Sequence, residues 1–307
     1  MGCATEDRSS TGVTVVLFDR LSPTVVDVRG PASATYDTHS LGLDATYGRR
    51  DALFLSGGSV YGLDAARGVR TSLLRRGRGE GAFAGSMPVP RIAGAALYDL
   101  PAVPGPLPDY LPLGFEAAEQ AGAAPVPCGP FGAGRGARIG KYAGRGGSIP
   151  GGQSSSAVRI DRTHWVGVLV VFNSVGAIRD PRSGRWIEGA RDRAGRLVPP
   201  DPSAWPSGPA GTTLAILATN LPLERPTLLR LAGHVHDGIA RVVHPAHTAT
   251  EGDSVFAAST AAPDAPRPVE ERPGALADRL GRHAELLVEE AALRLFSGRP
   301  GTALPAR

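Results

Sequence analysis

Two adjacent threonines, Thr212 and Thr213, stand directly after Gly211 in GPAGTTLAILATNLPL (residues 208–223) and directly before an apolar run. A hydroxyl needs a base to become a nucleophile, and the chain offers no convincing Ser-His-Asp pattern to supply one. Another base is close at hand. If the peptide bond before a threonine is cut, the freed α-amine, with an ordinary pKa of about 7.7 to 8.0, can take the hydroxyl proton near neutral pH. Gly211 suits such a cut, because a residue without Cβ admits the strained backbone in which the hydroxyl attacks the preceding carbonyl. The long loop before it would give the new ends room to separate. The plainer reading is that two β-branched residues open a strand, and local sequence alone favours it.

A second oddity is a cation. Of the 33 Lys plus Arg, every one is Arg except Lys141 in ARIGKYAG. A retained lysine suggests chemistry that a guanidinium cannot perform, with chance survival of a surface lysine as the alternative. The same stretch does not make a phosphate loop, because Arg135 stands where the first glycine is required and Tyr142 replaces the hydroxyl residue. GGSVYG fails as a hydrolase elbow, since Tyr61 occupies the last glycine's place, and Ser59 reads as a helix cap. His234, His236, His244 and His247 cluster in sequence. However, His234 and His236 point to different faces of a helix and no cysteine lies near, so no metal site is expected.

The elements that must position these residues are short and many. TVVLFD (14–19) and PTVVDVRG (23–30) read as a hairpin, and DALFLSGGSVYGLDAARGVRTSLLRRGRG as a strand passing into a helix closed by Gly77. PVPRIAGAALYDLP (88–101) is a further apolar segment, followed by a proline-rich loop and a short helix in GFEAAEQAG. HWVGVLVVFNSVG (164–176) is a continuous apolar strand covered on both faces. Residues 176–211 form a long polar connection, which in a compact domain is functional or disordered. TTLAILATN and DSVFAAST (253–260) are strands. Between them lies an amphipathic helix with Leu228, Leu231, Val235, Ile239 and Val242 near one face, and a last helix carries Leu276, Leu280, Leu287 and Leu295. Without a regular βαβ beat, two packed sheets covered by helices are as plausible as a doubly wound sheet.

Composition narrows the class. A chain of 307 residues, 42% hydrophobic, buries a sizeable core. The formal charge of +4 is small and its cations are scattered, which argues against nucleic acid as the partner. Apolar runs stop short of a membrane span, MGCATEDRSS lacks the apolar region of a signal peptide, and Glu6 breaks the myristoylation pattern. A cytoplasmic protein is expected. Cys3, in an expected frayed terminus, and Cys128 read as free thiols.

Read in order, LSGGSVYGLDAARGV, AALYDL, IGK in a Gly/Ser-rich loop, VVFNSVG with DPRSGRWIEGA behind it, GTTLAILATNLPL and HDGIARVVHPAHTATEGDSVFA resemble the P1 (DmpA-like) family of self-processing N-terminal-nucleophile hydrolases. That family includes L-aminopeptidase/D-amidase-esterases, β-peptidyl aminopeptidases and endo-type 6-aminohexanoate-oligomer hydrolases. The resemblance covers nearly the whole chain from about residue 40. It implies that Thr212 is a nucleophile created by cutting the Gly211–Thr212 bond, that Asn173 donates to the oxyanion, and that Tyr98 lines the site as a second donor. It also implies that Lys141 is the active-site lysine, a compact cation that stabilises the oxyanion and lowers the pKa of the nearby amine. Glu251 and Asp253 would hydrogen-bond the threonine amine and hydroxyl. Threonine-type relatives usually carry two aspartates here and serine-type relatives a serine and a glutamate, so this pair departs from both.

The implied fold is a four-layer α/β/β/α sandwich. The implied molecule is one hydrolase domain over 1–307, cut into an α fragment (1–211) and a β fragment (212–307), with the pairs assembled as a homo-oligomer, a tetramer of heterodimers. No cofactor is implied. The implied activity is hydrolysis of an amide in short peptides, amino-acid amides or ω-amino-acid (nylon-type) oligomers. The alternatives are acyl transfer of the ornithine acetyltransferase type, in which an amine intercepts the acyl-enzyme, and a scaffold that keeps the fold without the activity.

Overall fold

The computed structural model describes every residue except 82, 101–105, 145, 202–210, 267–271, 273 and 298–307. In chain order it runs β1 (Gly2–Glu6), β2 (Thr11–Arg29), β3 (Ala34–Tyr36), β4 (Arg49–Ser56), α1 (Ala65–Arg75), β5 (Ile92–Ala96), α2 (Tyr110–Glu119), β6 (Arg138–Ile139), β7 (Ile149–Pro150), β8 (Gly152–Arg159), β9 (Trp165–Asn173), β10 (Ala177–Arg179), β11 (Trp186–Glu188), β12 (Thr212–Thr219), α3 (Arg225–Val242), β13 (Val243–His244), β14 (Asp253–Ser259) and α4 (Ala275–Ser297). Nine strands form one sheet in the order β3-β5-β4-β2-β14-β12-β9-β8, with β1 also on β2.

That sheet folds over on itself, and β2 is where it turns. The residues expected to form a hairpin over 14–30 are instead one strand whose register on β4 shifts between Leu17 and Ser22. Its first half pairs with β1 and β4, and its second half with β14. The two apolar runs are therefore extended, as their β-branched content dictates, but each serves a different layer rather than pairing with the other. Cys3 lies within β1, paired across from Thr14, and not in a frayed end.

Alternation along the strands divides most of the described apolar residues among three large cores, beside a small cluster of Tyr142, Val175, Ala177 and Ala190. Leu53, Leu55, Leu169, Leu214, Ile216 and Phe256 meet between the two layers. Phe172, Ala215, Leu217 and Val255 point outward onto α3 and α4, where Leu228, Leu231, Val235, Ile239 and Val242 form the expected buried face. Leu276, Leu280 and Leu287 of α4 are buried there too, with Leu295 packed at the edge. On the opposite outside, Val13, Val15 and Phe54 pack on α1 and α2. The architecture is thus α/β/β/α, two β-layers continuous through one bent strand.

Each layer contains a parallel strand pair bridged by a helix: β4 and β5 through α1, β12 and β14 through α3. Some boundaries differ from expectation. Ser59 does not cap a helix: it has φ +54° inside a 3-10 turn (Ser59–Asp64), and α1 starts at Ala65. Gly77, at φ +67°, does close α1. Helix α2 begins at Tyr110 within the expected proline-rich loop, because the Asp109 side chain accepts Leu111 N–H at 3.1 Å and Pro112 falls in the first turn, where its missing N–H costs nothing. The connection after residue 176 supplies β10 and β11, with β10 paired on one side to β11 and on the other to β13. Residues 202–210, the part expected to make room for new ends, lie outside the described residues.

Candidate active site

Thr212 is the first residue of β12 and Asn173 the last of β9, and the antiparallel register sets them directly opposite. Thr212 shares its face with Leu214 and Ile216, and Asn173 shares its face with Val171 and Leu169, so both side chains point into the space between the layers. Both are buried. The Thr212 hydroxyl donates to the Gly211 carbonyl oxygen at 2.5 Å, against the carbonyl of the bond that a self-cleaving threonine must attack. The Gly252 N–H reaches the same oxygen at 3.2 Å.

Gly211 is needed for space, not for a glycine-only φ. A Cβ there would sit 2.6 Å from the Val175 nitrogen and 2.9 Å from Glu251 Oε1. Gly211 is not among the positive-φ glycines, so it is not a left-handed backbone that calls for glycine here.

Lys141 follows Gly140, whose φ of +72° and contact with the Ala190 backbone exclude other residues. The lysine is only 7% exposed. Its ammonium donates to both the backbone oxygen of Asn173 (2.8 Å) and its Oδ1 (2.9 Å). The Arg138 N–H donates to the same Oδ1 at 2.9 Å. Two donors on that oxygen fix which way the amide faces, and Nδ2 is left to donate to the Tyr98 carbonyl at 3.1 Å. Tyr98 therefore touches Asn173 through its backbone, while its side chain is 42% exposed. The neighbouring Asp99 accepts Gly58 N–H at 2.6 Å and the Thr11 hydroxyl at 2.9 Å, and burial pushes its carboxyl up to about 6.

The two carboxylates flank the 211–212 bond without touching Thr212. Glu251 accepts Val175 N–H at 2.8 Å and Thr248 N–H at 2.9 Å. Burial, and then the charge of Asp253, push its carboxyl up to about 7. Asp253 accepts the Thr213 N–H at 2.5 Å on one oxygen, and on the other the His247 backbone N–H at 3.2 Å and its Nδ1–H at 2.6 Å. The expectation that this pair bonds the threonine's own amine and hydroxyl is not met in the continuous chain, where the nitrogen of residue 212 is a peptide amide. Instead the pair holds the backbone on each side of the bond.

Of the residues expected at the site, the fold gathers Thr212, Lys141, Asn173, Glu251 and Asp253 at one end of the sandwich, and brings Tyr98 to it through its backbone. His247 and Asp99, for which no role was read at this site, also lie beside it, and each falls inside a stretch already singled out, HDGIARVVHPAHTATEGDSVFA and ALYDL. Among the described residues, His234, Asp237 and Glu285 have metal-ligand spacing, within 4.8 Å of one another. They lie on α3 and α4, and Arg29 and Arg282 already meet the two carboxylates at 3.5 and 2.9 Å. No helix among the described residues is long and apolar enough to cross a membrane.

Residues 2–297 match the model of Peptidase family S58. The chain is 34% identical over 263 residues to an uncharacterized aminopeptidase of Mycobacterium tuberculosis, covering 82% of this chain and 74% of that protein. It is 31% identical over 302 residues to a 6-aminohexanoate-oligomer endohydrolase of Agromyces sp., covering 94% and 79%. Among solved structures, the L-aminopeptidase D-Ala-esterase/amidase of Ochrobactrum anthropi, described as a variant of the Ntn-hydrolase fold, superposes with a TM-score of 0.63 at 22% identity, over 93% of this chain and 77% of that one.

Proposed function

The chain belongs to peptidase family S58, and from that premise we propose that it is a self-processing amide hydrolase whose nucleophile is Thr212. The observation that carries the reading is the Thr212 hydroxyl on the Gly211 carbonyl oxygen at 2.5 Å, with Asn173 directly opposite and Lys141 bonded to Asn173.

In self-cleavage, Thr212 Oγ attacks the Gly211 carbonyl carbon, and the Gly252 N–H stabilises the charge that develops on its oxygen. The C–N bond breaks, the hydroxyl proton ends on the released α-amine, and an ester joins Gly211 to Thr212. Water hydrolyses the ester and leaves a carboxylate on 1–211 and a free amine on 212–307. In turnover that amine takes the Thr212 hydroxyl proton as Oγ attacks a substrate amide. The leaving amine carries the proton away, and water resolves the acyl-enzyme. Asn173 Nδ2 supplies an oxyanion donor, and Lys141, through its two bonds to Asn173, fixes that amide and adds a positive charge.

Substrates on this reading are short peptides, amino-acid amides or ω-amino-acid oligomers. Acyl transfer to an amine uses the same acyl-enzyme, and turnover of acetyl-ornithine would favour it. The deciding experiment is the intact mass of the purified protein and of its Thr212→Ala variant. Two species divided at 211/212 in the first and one folded, inactive chain in the second are expected. Normal cleavage of the variant would remove Thr212 from the mechanism and make Thr213 the candidate.

A further inference from the structure

The side of the Thr212 strand turned away from the space between the layers is held by a histidine. Alternation puts Thr212 toward the space between the layers, and Thr213 and Asp253, in step with Ala215 and Val255, toward α3. There the buried Asp253 divides its oxygens. Oδ1 accepts the Thr213 N–H at 2.5 Å, while Oδ2 accepts both the Nδ1–H and the backbone N–H of His247, at 2.6 and 3.2 Å. A carboxylate bonded through one oxygen can still turn about its last torsion. Bonding the second oxygen from two directions removes that freedom and aims Oδ1 at the strand.

The loop is shaped to deliver those two donors. His247 has φ +56°, a conformation that few residues other than Asn, Asp and His adopt. Its Nε2 is buried without a close hydrogen bond, with the His236 backbone near the ring, and the short polar contact of the ring runs through Nδ1. The ring stands edge-on to His236 of α3, centroids 4.9 Å apart, and His236 Nε2 meets the Asp27 carbonyl of β2 at 3.0 Å. Burial lowers His236 to about 4, so it packs as a neutral ring.

We propose that His247 is a positioning residue for the nucleophile: acting through Asp253, it pins the Thr213 N–H and hence the place of Thr212 at the start of its strand. The proposal rests on Thr212 being the nucleophile. Displacing a reacting group by about 1 Å costs on the order of a hundred-fold in rate.

The test compares His247→Ala with His247→Asn in the full chain. Both lose the ring packing on His236. Only Asn keeps an N–H near the position of Nδ1, and it also accepts the positive φ. The readouts are the rate of conversion into two fragments, followed by mass spectrometry, and kcat and KM of the cleaved protein on an aminoacyl anilide. His247→Ala should lose about ten- to hundred-fold in both self-cleavage and kcat, with KM within about two-fold, and His247→Asn should recover most of the loss. The proposal is overturned if His247→Ala matches wild type, if the two variants are equally impaired, or if only KM moves. Should His247→Ala fail to fold, His247→Asn decides alone: retained kcat supports the donor role, and a loss as large as that expected of alanine overturns it. A wild-type chain that stays whole would fell the nucleophile reading first, before any variant is made, and this proposal with it.

Discussion

Lys141 shows how much can be read from residue type alone. Being the sole lysine among 33 basic residues marks it, and the fold sets it on Asn173. Lys141→Met should fold and lose about 100- to 1,000-fold in turnover, the usual cost of a missing oxyanion-stabilising group. Lys141→Arg should not rescue it, because a planar fork cannot sit where a compact ammonium bonds two oxygens of one residue. Near wild-type kcat in both variants would strip the lysine of its role. Thr213 gives the opposite case. Its hydroxyl is buried with no partner among the described residues, while its N–H serves Asp253. Thr213→Val should therefore leave cleavage intact and hold or raise the chemical-denaturation midpoint, since an unpaired buried hydroxyl costs about 1–3 kcal/mol. Glu251 makes a pH prediction. Its carboxyl is raised from 4.5 to about 7, so between those values the folded chain holds a proton that the unfolded chain releases. The stability it contributes is full below 4.5 and is lost as pH rises through 7. Denaturation midpoints should fall across that window, and Glu251→Gln should flatten the slope. The contact between Asp253 and His247 was less legible, because it depends on a loop conformation at φ +56° that no spacing rule encodes.

At the scale of elements, periodicity located the strands and helices around the site, and partner choice was what it could not give. The strands β9, β12 and β14 and the buried face of α3 follow from apolar patterning. The single bent β2 does not, since two β-branched runs with a polar break look alike whether they pair with each other or with strands in different layers. Close helix contacts were equally hidden. In α1 a Cβ on Gly68 would lie 2.0 Å from the Leu111 carbonyl of α2, and one on Gly114 of α2 would lie 2.2 Å from the Ala65 carbonyl of α1. Each glycine lets the other helix's backbone approach. Gly68→Ala or Gly114→Ala should push the helices apart and cost about 1–3 kcal/mol in thermal or denaturant unfolding. Self-cleavage should survive, because this helix pair covers the outer face of β2 and β4, away from Thr212. An unchanged melting temperature would count against the packing described.

For the whole molecule, the position of the proposed cut matters more than the cut itself. The strand β12 lies inside the sheet between β9 and β14, and β14 in turn pairs with β2. Fragments 1–211 and 212–307 would thus share three antiparallel ladders and two of the cores. They should co-elute in size exclusion after cleavage and part only in denaturant, in one transition with the loss of secondary structure. Separation in native buffer would contradict this topology. The same enclosure has an effect on the outer surface. With the one lysine buried against Asn173, the exterior carries its positive charge as guanidinium groups and offers no lysine amine. Amine-coupling cross-linkers and labels should modify only α-amines on the folded protein, and a lysine adduct, where one forms, would report that the interior had opened to the reagent.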